Sequence, residues 1–289
     1  MVFSSIPFLY FFLPAVLLCY VIAPRKIKNP VLLIFSLLFY WWGEPKYALV
    51  MVFTITFCYF AGILIEKRRN DPKGKLLLTV SVAVPLGLLA LFKYADFLLG
   101  SFNSLTGADL PLLKLALPIG ISFYTFQALS YVVDVYRGDV PAQKNYISLA
   151  TYIVLFPQLI AGPIVRYTTV VEDLEKRTHS RQNVALGIRR FVMGLGKKVL
   201  IANLLGSLCT AYRQSADPSV LFAWVYAVSY ALQIYFDFSA YSDMAIGMGK
   251  MLGFRFLENF DYPFISKSIT EFWRRWHISL GSWFRDYVY

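Results

Sequence analysis

The chain is poor in charge, in cysteine and in histidine, and each shortage removes a class of function. Charged residues fill 16% of its 289 positions, against about a quarter in soluble domains, which argues against a water-soluble globular enzyme. The three cysteines, Cys19, Cys58 and Cys209, are widely spaced in apolar runs. They make neither a disulfide framework nor a metal-ligand spacing and read as small apolar fillers. With two histidines, His179 and His277, and no Cys/His cluster, no metal site is expected. The phosphate-cradling G-x-x-x-x-G-K-S/T loop, the G-x-S-x-G elbow and H-E-x-x-H are all absent. No compact basic domain marks a nucleic-acid partner. No long repeat, low-complexity run or linker appears, so positions 1–289 read as a single membrane domain.

What is present is apolar surface. Hydrophobic residues make up 58% and aromatic residues 18% of the chain, and mean hydropathy is +0.56. This is the composition of an all-α integral membrane protein. Lys plus Arg number 28 against 17 acidic residues, a net +11. Such an excess belongs in cytoplasmic loops facing anionic lipid and suits attraction of a phosphate-bearing donor.

Apolar runs at 6–23, 30–42, 47–65 and 76–92 alternate with loops whose charges set a topology. Arg25, Lys26 and Lys28 follow the first run, which has no positive charge before it, so it reads as a retained span with the N-terminus outside. Lys67, Arg68, Arg69, Lys73 and Lys75 give the strongest inside signal. Beyond this the parity fails. If 112–136 and 146–165 both crossed, then Arg166, Lys176, Arg177, Arg181, Arg189 and Arg190 would lie outside. One run is therefore expected to be re-entrant or broken, which is tolerated only where protein or water surrounds it. Pro118 and Gly120 interrupt the first run; Pro157, Gly162 and Pro163 interrupt the second. The polar segment 166–185 reads as a cytoplasmic loop or surface helix, with His179 solvated and inert. Residues 186–209 read as an interfacial or tilted helix with snorkelling cations. A span at 220–236 runs into Asp237, Ser239, Tyr241, Ser242 and Asp243, which either orient basic partners such as Arg274 or Arg275 or cap the helix end.

The C-terminal stretch S-K-S-I-T-E-F-W-R-R-W-H-I-S-L-G-S-W-F-R-D-Y-V-Y predicts a helix. Ser268 and Glu271 have capping-box spacing. Trp273, Trp276, His277, Leu280 and Phe284 recur at helical spacing on one face. An ionisable group in an apolar setting is a functional candidate, while the same stripe also suits plain packing with His277 as a hydrogen-bonded core residue. A histidine can remove the proton of an attacking hydroxyl while donors hold the oxyanion, as acyl transfer from a thioester requires.

Four strings resemble the membrane-bound O-acyltransferase family: L-P-I-G-I-S-F-Y-T-F-Q-A-L-S-Y-V-V-D-V-Y-R-G at 117–138, F-P-Q-L-I-A-G-P-I-V-R at 156–166, Q-I-Y-F-D-F-S-A-Y-S-D-M-A-I-G at 233–247 and E-F-W-R-R-W-H-I-S-L-G-S-W-F-R-D-Y at 271–287. The likeness is closest to the bacterial branch serving alginate O-acetylation. It implies a ring of tilted helices with re-entrant segments and a tunnel joining the two membrane faces. It also implies transfer of an acyl group, in this branch usually acetyl, from a cytoplasmic thioester such as acetyl-CoA towards an envelope polysaccharide. No bound cofactor is implied. Extracytoplasmic proteins that complete the transfer, the bacterial inner membrane and the lipid bilayer complete the setting. His277 matches the first of the family's two histidines. The second, in a W-H-G pattern, is expected beyond Tyr289, so the chain reads as C-terminally truncated and inactive alone. Trp273 and Trp276 would wall the site, Arg274 or Arg275 would meet donor phosphates, and Ser279, Asp237, Gln127 and Tyr124 would supply polar lining. The rival readings are a transporter or flippase-like carrier, for which matching interrupted halves are wanting, and a non-catalytic scaffold.

Overall fold

The computed structural model describes residues 2–160, 162–215 and 219–289. Helix is its regular structure, with no strand among the described residues. Among the described residues four helices are long and apolar enough to cross a membrane: Ala48–Arg68, Pro72–Thr106, Arg181–Gln214 and Val220–Met251. Helix is the form such runs must take, because a bilayer offers the backbone no hydrogen-bonding partner. The chain divides into two compact units, Asn29–Ile160 with Arg166–Thr168, and Met1–Lys28 with Ala161–Val165 and Thr169–Tyr289.

The first unit is built on α2 (Lys28–Gly43), α3 (Ala48–Arg68), α4 (Pro72–Thr106), α5 (Ile121–Arg137), α6 (Tyr146–Val154) and α7 (Phe156–Leu159). α1 (Leu13–Ile22) precedes them and belongs to the other unit. Its core is α3 against α5. Gly62 permits the approach, since a Cβ there would lie 2.5 Å from the Tyr131 hydroxyl. Tyr131 accepts from Gln143 N at 3.0 Å, and the Gln143 amide donates to Tyr167 at 2.8 Å. Tyr131, Tyr167 and Tyr152 meet edge to face.

The two interruptions fall where proline and glycine mark them. Residues 107–118 are non-helical and α5 begins only after Gly120, at φ +73°. A Cβ at Gly120 would stand 2.6 Å from Leu159 O, so the turn needs glycine for space as well as for dihedral. The run 146–165 is broken into α6, α7 and irregular backbone. α6 has nine residues, which at about 1.5 Å per residue spans under half of a ~30 Å hydrocarbon core. Asn145 caps it by accepting from Ile147 N and Ser148 N.

The second unit holds α1, α8 (Tyr167–Glu175, from Thr169 onward), α9 (Arg181–Gly196), α10 (Asn203–Gln214), α11 (Val220–Met251), α12 (Ile269–Arg275) and α13 (Ile278–Tyr287). A π-helical segment, Lys197–Ala202, joins α9 to α10. α11 corrects one expectation: the helix does not end at Phe236 but continues to Met251. The Asp237–Asp243 cluster is thus mid-helix and not a cap. α9 packs lengthwise on α11 through small residues. A Cβ on Gly187 would lie 2.7 Å from Gly247 O, one on Gly247 2.7 Å from Gly187 O, and one on Gly194 2.8 Å from Ala240 O. Backbone meets backbone here, so nothing flexible can yield. Gly187→Val should therefore destabilise the chain by about 1–3 kcal/mol, the usual cost of overpacking. Gly196→Ala, with nothing within 4 Å of the added methyl, should be neutral or slightly stabilising; thermal unfolding of both variants in lipid nanodiscs checks the contrast.

Candidate functional site

The C-terminal stretch is not one helix. α12 ends at Arg275, Trp276 is extended, and His277 is left-handed at φ +45° and ψ +54° before α13 starts. The Trp273–Phe284 stripe is therefore split, because its register changes at the kink. A non-glycine residue in this region costs about 1–2 kcal/mol, so something must hold it there. The strap that does so is 258–261. After the kink, Asn259 O accepts from Ile278 N at 3.0 Å, and Asn259 Oδ1 accepts from Ser279 N at 3.2 Å and Ser279 Oγ at 2.8 Å. Asn259 Nδ2 donates to Ser242 Oγ on α11 at 3.1 Å. Ser279 Oγ also accepts from Ile164 N at 3.0 Å. Before the kink, Asp261 N donates to Arg275 O at 2.9 Å, and Arg275 pairs with Asp261 at 3.3 Å and Glu271 at 3.0 Å. Ser268 does cap α12, accepting from Glu271 N at 3.1 Å, while Glu271 returns to Lys267 N at 3.0 Å. Asn259, wholly buried, went unnoticed in the sequence, where it has no motif to announce it.

The imidazole that this kink presents is half-buried, and its Nε2 is buried with no hydrogen-bond partner among the described residues. Its ring meets Phe238 edge to face at 4.7 Å. Phe238 in turn meets Phe260, Phe260 meets Trp276, and Trp276 stacks on Phe272. Burial in this aromatic wall holds the His277 pKa down at about 4. The group is neutral at physiological pH.

The residue after His277, Ile278, lines a cavity of about 680 Å³ together with Phe260. Its charged lining is Arg189, Arg190, Lys197 and Lys250 with Asp243, Glu258 and Asp261. Asp243, buried on α11, pairs with Arg190 and Lys197, each at 2.6 Å. Arg190 also reaches Glu258 at 2.5 Å. Asp237 pairs with Lys198 at 2.6 Å. The expected partners of these aspartates, Arg274 and Arg275, are thus replaced by cations of α9 and the π segment. Those cations lie on the helix packed along α11, whereas Arg275 is spent on its own strap.

The expected site residues separate into groups. Ser279 and Trp276 stand at the kink with His277. Trp273 is 61% exposed and Arg274 is exposed. Asp237 is fixed by Lys198. Tyr124 and Gln127 lie in the other unit, both at 0% exposure. His179 is exposed but engaged: its Nε2 lies 2.9 Å from Tyr20 Oη. The Tyr20 hydroxyl donates to Leu252 O at 2.6 Å, so it accepts from His179 and from Arg177 at 3.1 Å. Burial, Lys28, Arg177 and Arg25 together lower the His179 pKa. Its role is to fasten α1. No group of three or more His, Cys, Asp or Glu able to hold a metal occurs among the described residues.

Two measurements check this site. Asn259→Ala leaves Ser279 N and Ser242 Oγ without their partner and should cost about 2–4 kcal/mol, with Asn259→Asp intermediate, by thermal unfolding in nanodiscs. The depressed His277 pKa means that the unfolded chain binds the proton more readily. Its contribution is therefore present above about pH 6.5 and is lost as pH falls towards about 4. His277→Gln should flatten that part of the stability profile.

The family model for membrane-bound O-acyltransferases matches residues 139–289. Over its full length the chain is 45% identical to the probable alginate O-acetylase AlgI of Pseudomonas aeruginosa and 44% identical to that of Azotobacter vinelandii, covering 56% and 59% of those proteins. It is 32% identical to the peptidoglycan O-acetyltransferase of Helicobacter pylori, again over all of this chain and 61% of that one. The chain thus spans under two thirds of these relatives' lengths. With a matching family model over its C-terminal half, apolar spanning helices and the kinked tryptophan–histidine segment inside the match, this chain belongs to the membrane-bound O-acyltransferase family.

Proposed function

We propose that this chain forms part of a membrane-embedded O-acyltransferase that moves an acyl group, acetyl in the first instance, from a cytoplasmic thioester towards hydroxyls of an envelope polysaccharide such as alginate. The observation that carries the reading is the buried Nε2 of His277, without a hydrogen-bond partner among the described residues, at a braced kink whose next residue, Ile278, lines a cavity rich in charged side chains. The identity to relatives named as alginate and peptidoglycan O-acetylating enzymes supports acetyl as the group and a cell-envelope polymer as the acceptor.

The chemistry forms a C–O bond at the thioester carbonyl and breaks the C–S bond; the hydroxyl proton ends on the departing sulfur, and a thiol is released. A general base works best with a pKa near the working pH. His277, at about 4, is a weak base but a persistently neutral imidazole, suited to orienting a reactant or hydrogen-bonding the developing oxyanion. Arg189 and Lys250, exposed on the cavity wall, would draw a phosphate-bearing donor such as acetyl-CoA. In this reading the cavity mouth faces the cytoplasm and, by the positive-inside bias, the N-terminus lies outside in a bacterial inner membrane. Extracytoplasmic proteins would take the acyl group onward to the polymer.

The test is His277→Ala in the intact protein in its host. Polymer-bound acetyl should fall by at least about a hundredfold, while the amount of protein in the membrane fraction stays level. Unchanged acetylation at normal membrane levels removes His277 from the site.

A further inference from the structure

Four neutral polar side chains in the first unit are buried with five of their hydrogen-bonding atoms unused. The Tyr40 and Tyr124 hydroxyls, both amide atoms of Gln127 and Oε1 of Gln158 meet no partner among the described residues. Their exposures are 2%, 0%, 0% and 1%. Folding draws them together. Tyr124 and Gln127 are one turn apart on α5, on the same helix face. One turn before Tyr40, Ser36 Oγ accepts from Phe156 N at 3.1 Å, which brings α2 to α7. The Gln158 amide nitrogen donates to Tyr152 O, and the Tyr152 hydroxyl reaches Gln127 O at 3.4 Å. Gly120, packed on Leu159 O, closes α5 against the same segment.

Buried polar groups are nearly always satisfied, and a protein that leaves five such atoms in one place loses stability at each. Apolar residues of the same shape would avoid that loss. Their chemistry defines what would satisfy them. A phenol and a carboxamide both donate and accept, and none carries charge. An anion or cation would find no counter-charge among them, whereas an O–H group, itself donor and acceptor, matches. We infer that Tyr40, Tyr124, Gln127 and Gln158 form a binding site for hydroxyl groups, occupied by internal water or by the alcohol of the acceptor. The alcohol source rests on the acyltransferase reading; the water source does not.

Hydroxyl-radical footprinting of the chain in nanodiscs separates these. Tyr131 is the internal control, equally buried at 0% but accepting from Gln143 N. Tyr40 and Tyr124 should be oxidised severalfold faster than Tyr131, since radicals form from adjacent bound water. Added alginate oligosaccharide that protects both, but leaves Tyr131 unchanged, identifies the acceptor as the occupant; labelling indifferent to it identifies water. Labelling of Tyr40 and Tyr124 no greater than that of Tyr131, with and without the oligosaccharide, overturns the site. Gln127→Leu gives an independent reading. A lowered Tm together with lost labelling at Tyr124 supports a bound hydroxyl, and a raised Tm overturns it, because only an empty site gains from losing the amide. Neither readout requires acyl transfer, so a failed His277 experiment leaves the water site standing.

Discussion

The pairing of Asp243 with Arg190 and Lys197 is the interaction on which the second unit turns. An aspartate in the middle of a helix long enough to span a membrane is tolerated only if it is compensated. Two cations at 2.6 Å supply that compensation, and they can do so because Gly187, Gly194 and Gly247 let α9 and α11 meet backbone to backbone. The small residues set the distance and the charges set the register. From Arg190 the network passes to Glu258, next to Asn259, and Asn259 braces the left-handed turn at His277. A charge pair inside the helix packing is thereby connected, through one strap, to the candidate catalytic side chain.

This connection holds the backbone of the kink from several directions. The strap bonds the backbone on both sides of the kink, and Ser242 anchors the strap to α11. Phe238 meets the imidazole edge to face, and the aromatic series continues from Phe238 through Phe260 and Trp276 to Phe272; burial there lowers the His277 pKa. The cations of the cavity wall stand on α9, the π segment and α11, and Phe260 belongs both to that wall and to the aromatic series that reaches His277 through Phe238.

Much was legible in the chain itself. Low charge and long apolar runs specified a helical membrane protein, since no other local structure satisfies the backbone there. The clash between the positive-inside bias and simple span counting called for one re-entrant or broken run, proline and glycine marked the two candidates, and among the described residues both runs are interrupted. The Ser268 cap is also where its spacing put it. Other features were not legible. The terminal stretch shows an unbroken helical stripe, yet it kinks at His277, because Asn259 and Asp261, sixteen or more positions upstream of the kink, offer backbone and side-chain partners that a straight helix would forgo. The Asp237–Asp243 cluster resembled a helix end because its polarity interrupts an apolar run; α11 continues because cations from another helix neutralise it.

Sequence alone therefore determined the solvent, the secondary structure of the long runs, the family likeness and the identity of the imidazole, all of which follow from local composition and spacing. Tertiary structure alone decided which cation meets which carboxylate, how the helix bends at His277 and which buried polar atoms go without a protein partner. Those depend on groups far apart in the chain and brought within a few ångströms, and hydrogen bonds and ion pairs act only at that range.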